Sequence, residues 1–307
     1  MKCYLYNRMD SIINDYQHTL AGTLCWSGIG LHTGVAVNLS LKPAPANTGI
    51  IFKRTDLEGF VIKARASNVA RVSYATSLMH KGVLISTTEH LLSALMALGV
   101  DNVCAEINNL EVPIMDGSAL PFARDILRVG LKRQRARRTY IRILKPVEIA
   151  EGGKSIAIYP SERFRVTYGI DFSHPLVGSQ KLELALTPTS YLEEIAPART
   201  FITSLEEVEI LKKAGLVRGG SLENALVLSH DRILNPGGLR VPEEFCRHKI
   251  LDLIGDLALL GHPLIGHVVV HRGGHAVHYA LVSRLLKEKD SWRLVDSLEV
   301  QPRTSAA

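Results

Sequence analysis

Apolar residues between 244 and 260 recur at helical spacing. Ile250, Leu251, Leu253, Ile254 and Leu257 form one apolar surface, which predicts a helix over 244–260. Residues four apart lie about 40° apart around a helix, one turn displaced, so His248, Asp252 and Asp256 share a face. Elsewhere the period is two. Residues 35–39 and 102–107 alternate as half-buried strands do, and 140–149, 155–159 and 165–170 also read as strands. Further helices are expected over 89–98, with Ser86, Thr87 and Thr88 offering an N-cap and Gly99 a stop, and over 205–214. Residues 268–271 form a β-branched strand, followed by the turn Arg272-Gly273-Gly274, then His275 and a further strand.

Before the basic stretch Lys132, Arg133, Arg135, Arg137 and Arg138 a helix lies between strands, and after it strands are followed by helices, so both halves read as α+β. At 307 residues, length alone allows one large domain or two of ordinary size. We expect one domain over 18–131, a basic linker over 132–138 and a second domain over 139–290. The linker reading, and the absence of aromatic residues between its charges, argue against nucleic-acid binding, and the net charge of +6 is modest. The 46% hydrophobic content is that of a soluble globular protein. Cys3, Cys25, Cys104 and Cys246 lack C-x-x-C spacing, so reduced thiols in a cytoplasmic protein are the simplest reading. Residues 1–17 carry Asp10 and Asp15 and no apolar core, unlike a signal peptide, and no apolar run approaches the roughly 20 residues that span a bilayer.

The shared face of the 244–260 helix carries chemistry. An imidazole and a carboxylate one turn apart can ligate one small cation, and with a third ligand and one open position they form a catalytic zinc site. The same spacing also fits a partly exposed helix face bearing a His–Asp pair. Glu89 and His90, as neighbours, point about 100° apart and cannot bind one metal from one face. They act together if His90 binds the ion and Glu89 reaches the water beside it, the general-base arrangement of metal hydrolases. Alternatively, Glu89 is a first-turn acid favoured by the helix dipole.

These segments, taken with Gly28-Ile29-Gly30-Leu31-His32-Thr33-Gly34, residues 42–49, Val112-Pro113-Ile114-Met115-Asp116-Gly117-Ser118, Ala198-Arg199-Thr200-Phe201 and Arg247-His248-Lys249, resemble the zinc-dependent UDP-3-O-acyl-N-acetylglucosamine deacetylases of lipid A synthesis. The likeness runs in order from about Leu20 to about Leu285. It implies two similar domains, each a sheet layered against helices, with the active site between them. It implies Zn2+ held by His90, His248 and Asp252, with Glu89 as general base for the attacking water and His275 as general acid. Asp256 would orient His275, and Thr200 would donate a hydrogen bond to the oxyanion. The substrate implied is UDP-3-O-acyl-N-acetylglucosamine, met through its head group or transiently at a membrane surface. Lys249 and Arg272 become candidates for its diphosphate; Arg272 stands where family members often carry lysine. Phe201 would stack on a sugar or line the acyl passage, for which Leu205, Val208, Val217 and Gly220 are candidates. Those four could equally pack their helix onto its own domain.

His32 sits in a family motif without an assigned role. His18, His80, His174, His230, His262, His267, His271 and His278 match no ligand spacing and are expected to be surface or packed residues. A zinc peptidase would also use a carboxylate base, but H-E-x-x-H is absent and the glutamate precedes the histidine. A non-enzymatic sugar-nucleotide binder would not need the set Glu89, His90, His248, Asp252 and His275.

Overall fold

The computed structural model describes residues 15–300. Cys3, most of the segment 1–17 and the end of the tail lie outside the described residues. Two five-stranded sheets organise the chain. The first contains β1 (Leu24–Ile29), β2 (Ala36–Pro43), β3 (Ile50–Arg54), β4 (Phe60–Lys63) and β5 (Val103–Ile107), in the order β1-β2-β5-β3-β4. The second contains β6 (Val147–Glu151), β7 (Lys154–Tyr159), β8 (Arg165–Asp171), β9 (Ser179–Ala185) and β10 (His267–His271), in the order β6-β7-β10-β8-β9. In each sheet the last strand in sequence becomes the centre, antiparallel to the second strand and parallel to the third. One topology is therefore used twice.

The alternation seen in sequence sets which face is covered. Val37, Leu39 and Leu41 of β2 and Ile156 and Ile158 of β7 are buried, while their neighbours point outward. The longer helices that accompany the sheets are α1 (Glu89–Ala97), α2 (Leu120–Val129), α3 (Leu205–Lys213), α4 (Glu244–Leu257) and α5 (His275–Lys287). Helix α1 is buried nearly all round, as is α4, and the two pack on one another. Gly99, at φ 76°, stops α1 as expected, with its N–H on Met96 O at 3.2 Å and that of Val100 on Leu95 O at 2.9 Å. The Ser/Thr cap is different: Thr88 Oγ1 donates to Thr76 O at 3.0 Å and makes no cap bond, which ties the helix start to the Ser77–His80 strand region instead.

Three expectations need correction. The basic stretch 132–138 is not a solvated linker. Leu131–Arg137 is a strand paired antiparallel with Tyr16–Leu20. Arg133 and Arg137 lie over the Tyr16 ring, and Arg138 is buried with Nε donating to Asp101 Oδ1 at 2.8 Å. The aromatic partner comes from another strand, so the run itself did not reveal it. The single strand expected over 140–149 is two, because Pro146 offers no N–H and the amides of Leu144 and Lys145 turn to Ser291 O. Thr139–Ile143 pairs with Trp292–Asp296, so ordered structure passes residue 290. Finally, the residues after Gly274 are helix α5, not a strand: Leu281, Val282 and Leu285 continue the helical period and are fully buried.

Candidate metal centre

The face of α4 bearing His248, Asp252 and Asp256 turns into the protein, each residue being 2% exposed, which removes the exposed-face alternative. Opposite it, the first turn of α1 presents Glu89 and His90, also buried. Asp252 Oδ1 lies 3.4 Å from His248 Nε2 and 3.7 Å from His90 Nε2. One ligand atom from each of the three falls within 4.8 Å of the others. His248 Nδ1 donates to Ala198 O at 3.1 Å, so in the neutral ring Nε2 carries the free lone pair.

The electrostatics prepare the same donor set. Burial, with His248 nearby, lowers the His90 pKa to about 3, and burial also lowers that of His248. Both imidazoles are thus neutral. Burial alone would raise Asp252, yet its pKa is lowered, with the cations Lys249 and His275 beside it keeping the carboxylate ionised. Two neutral imidazoles and one carboxylate, all buried and with ligand atoms converging, are the donor set of a zinc-type ion.

A second cluster adjoins the first. Asp256 Oδ2 accepts from His275 Nδ1 at 2.7 Å and from His278 Nδ1 at 2.8 Å, and Oδ1 accepts from Thr76 Oγ1 at 2.5 Å. These three ligand-type residues are also close enough for a cation. Here, however, both facing nitrogens are donors that occupy the carboxylate. Burial would lower the His275 pKa, but Asp256 and Asp252 raise it to about 10. Its Nε2 stands 3.9 Å from Glu89 Oε1 and 4.0 Å from Asp252 Oδ2. Glu89 is raised to about 7 by burial, against the pull of His275, and its Oε2 accepts from Thr76 N at 3.0 Å. A carboxyl group that titrates near neutrality and a cationic imidazole therefore flank the trio of His90, His248 and Asp252.

The Ala198–Phe201 motif is anchored from beneath. Arg199 Nε donates to Glu244 Oε1 at 2.8 Å, and both residues are buried. Thr200 follows, half-buried, its N–H on Gly117 O at 2.8 Å. The Phe201 ring sits edge-on to His248 at 6.2 Å, and Lys249 Nζ lies 5.5 Å from its centroid. Lys249 Nζ also donates to Asp252 Oδ2 at 3.0 Å. Leu205 is 48% exposed at the start of α3, Val208 is partly buried, and Gly220 packs against Val217. Arg272 is exposed and faces Asp171 at 3.9 Å, outside the metal cluster. Sequence reasoning missed Thr76 and His278. The first carries no motif, and the second was hidden by reading α5 as a strand, which concealed its position three residues from His275 on one helix face. It also missed Glu111, whose carboxylate accepts from His32 N, Thr33 N and Thr87 Oγ1 and so organises the His32 motif.

A family model described as UDP-3-O-acyl N-acetylglycosamine deacetylase matches residues 17–287. A protein of Solibacter usitatus (strain Ellin6076) named UDP-3-O-acyl-N-acetylglucosamine deacetylase is 50% identical over 281 residues, covering 92% of this chain and 95% of its own length. Proteins of the same name from Acidithiobacillus ferrooxidans (strain ATCC 53993 / BNL-5-31) and Teredinibacter turnerae (strain ATCC 39867 / T7901) are 46% and 45% identical, covering 92% and 93% of this chain and 94% and 96% of their own lengths. Among the described residues no helix is long and apolar enough to cross a membrane.

Proposed function

The chain belongs to the UDP-3-O-acyl N-acetylglycosamine deacetylase family of hydrolases, and from that premise we propose that it cleaves the N-acetyl group of UDP-3-O-acyl-N-acetylglucosamine in lipid A biosynthesis. Acetate and the free 2-amine are the products. The observation that carries this reading is the meeting of His90, His248 and Asp252 with Glu89 on one side and His275 beside them. His90, His248 and Asp252 are assigned as ligands to Zn2+, which when bound supplies Lewis acidity toward the amide carbonyl.

Glu89 takes a proton from the attacking water as the new C–O bond forms. A pKa raised to about 7 makes it a stronger base than an exposed glutamate while leaving it ionised above neutrality. His275 holds its proton through that step and delivers it from Nε2 to the leaving nitrogen as the C–N bond breaks. Asp256 orients His275 and favours its charged form. Thr200 donates a hydrogen bond to the oxyanion.

The substrate assignments follow the exposed groups. Arg272, held only loosely by Asp171, and Lys249 are assigned to the diphosphate. Phe201 lines the way in beside His248. Leu205, Val208, Val217 and Gly220 are assigned to the acyl passage, supported by the single buried position, Leu211, in α3, which leaves Leu205 and Ile210 without apolar cover. The repeated sheet topology supports two domains, one over 18–131 and one from 139 to beyond 290, where Trp292–Asp296 pairs back onto Thr139–Ile143, with α1 and α4 meeting between them. We place the protein in the cytoplasm, in contact with membrane surfaces through its acylated substrate. The test is acetate release from UDP-3-O-acyl-N-acetylglucosamine, with peptide substrates in parallel. Release from the sugar alone supports the reading; cleavage of peptides, or binding without release, overturns it.

A further inference from the structure

His278 is wholly buried, and no step of the proposed reaction uses it. It stands three residues after His275 on α5, so both imidazoles project from one face toward α4. Its Nδ1 lies 2.8 Å from Asp256 Oδ2, the oxygen that also accepts from His275, and its Nε2 lies 2.9 Å from the Tyr168 hydroxyl. Tyr168 comes from β8 and is itself fully buried. Gly273 leaves the space in which this contact is made, since a β-carbon there would meet both the Tyr168 hydroxyl and His278 Nε2.

The hydrogens of this chain are determined by its ends. An ionised carboxylate only accepts, so His278 Nδ1 is a donor. Burial lowers the His278 pKa against the pull of Asp256 and raises that of Tyr168 far above its usual range. The ring is therefore neutral, Nε2 is an acceptor, and the Tyr168 hydroxyl donates to it. Asp256 is then gripped by three donors, Thr76 Oγ1 on Oδ1 and two imidazole N–H groups on Oδ2. With only Thr76 and His275 the carboxylate could swing about its Cβ–Cγ bond, and His275, whose orientation depends on it, would swing too. Nε2 of His275 lies close to both Glu89 and Asp252, so a small rotation moves the acid off the leaving nitrogen.

We propose that His278, backed by Tyr168, is a positioning residue that clamps Asp256 and thereby holds His275 in register with Glu89 and the metal trio. This inference rests on the acid role assigned to His275. It predicts an effect on the chemical step more than on substrate binding, because the hydrogen bonds of His278 go to Asp256 and Tyr168.

The test compares three variants of the zinc-loaded enzyme. His278→Leu fills the space and removes both hydrogen bonds. His278→Asn places an amide nitrogen near the position of Nδ1 and keeps a donor to Asp256. Tyr168→Phe removes only the outer hydroxyl. We expect His278→Leu to lower kcat by ~10–100-fold with KM and bound zinc unchanged, His278→Asn to recover most of that loss, and Tyr168→Phe to fall between wild type and His278→Leu. Imidazole NMR of the holoenzyme supplies a readout independent of turnover. Wild type should show two strongly hydrogen-bonded Nδ1–H protons, and His278→Leu should lose one and shift the other. An unchanged kcat in His278→Leu, equal losses in the Leu and Asn variants, or an unmoved His275 resonance overturns the clamp. A wild-type enzyme that releases no acetate overturns the functional reading instead, and the NMR then still decides the clamp.

Discussion

Gly255 of α4 lies against the backbone carbonyl of Glu89, and a β-carbon on Gly255 would overlap that carbonyl. The close approach has a chemical consequence. It brings the start of α1 into the cluster, with His90 within reach of Asp252 on the same stretch of α4 and Glu89 within reach of His275. The candidate site is thus set by a helix crossing in which one glycine replaces what would be a steric barrier.

Gly255→Ala tests that crossing. The obstructing atoms are backbone, so the helices must separate; overpacking of this kind destabilises by about 1–3 kcal/mol. The variant should melt at a lower temperature and lose turnover out of proportion to its KM. Unchanged melting and unchanged kcat would mean that the helices accommodate the methyl group elsewhere.

The proton-transfer pair predicts a bell-shaped dependence of kcat/KM on pH. Glu89, with a pKa raised to about 7, must be ionised, so activity falls as pH drops through that value. His275, raised to about 10, must be protonated, so activity falls as pH rises through that value. Glu89→Gln should lower kcat by roughly 10²–10⁴-fold with zinc retained. His275→Gln should remove the alkaline limb, and survival of that limb would mean that another group is the acid.

Much of this site was legible in the sequence because its parts are local. The spacing of His248, Asp252 and Asp256 needs only a helix, and Glu89-His90 needs only a helix start. The repeated sheet order was not legible, because it is made by hydrogen bonds between strands far apart, such as β2 with β5, and no residue repeat accompanies it. His278 was lost to a short window: Val277 and Tyr279 suit a strand, and the helical period emerges only when Leu281, Val282 and Leu285 are included. The strand at Leu131–Arg137 was masked by its charges, although Gln134 turns inward to donate to Ala44 O at 2.8 Å.

The Arg199–Glu244 pair is the buried support of the Ala198–Phe201 segment. Arg199→Ala leaves the Glu244 carboxylate, which is 0% exposed, without its charged partner. Breaking such a pair costs about 3–5 kcal/mol. Chemical denaturation should show that loss, together with weaker zinc retention because Ala198 O supports His248. A stability within error of wild type would show that water or Arg240 takes over.

Lys249 and Arg272 should separate in their effects. Each phosphate contact is worth roughly 1.5–3 kcal/mol, about one to two orders of magnitude in binding. Arg272→Ala should penalise the UDP substrate heavily and the acylated sugar without UDP little. Lys249→Ala should penalise both, since its ammonium also rests on Asp252. Equal penalties from Arg272→Ala would place the diphosphate elsewhere.

The most direct measurement is acetate release from UDP-3-O-acyl-N-acetylglucosamine by protein stripped of metal with a chelator, before and after zinc is restored, with metal content determined alongside. The purified chain should hold about one zinc, lose turnover when stripped and regain it on reconstitution, while His248→Ala should neither retain the ion nor turn over. Full turnover by metal-free protein would contradict the assignment of His90, His248 and Asp252 as the catalytic metal site.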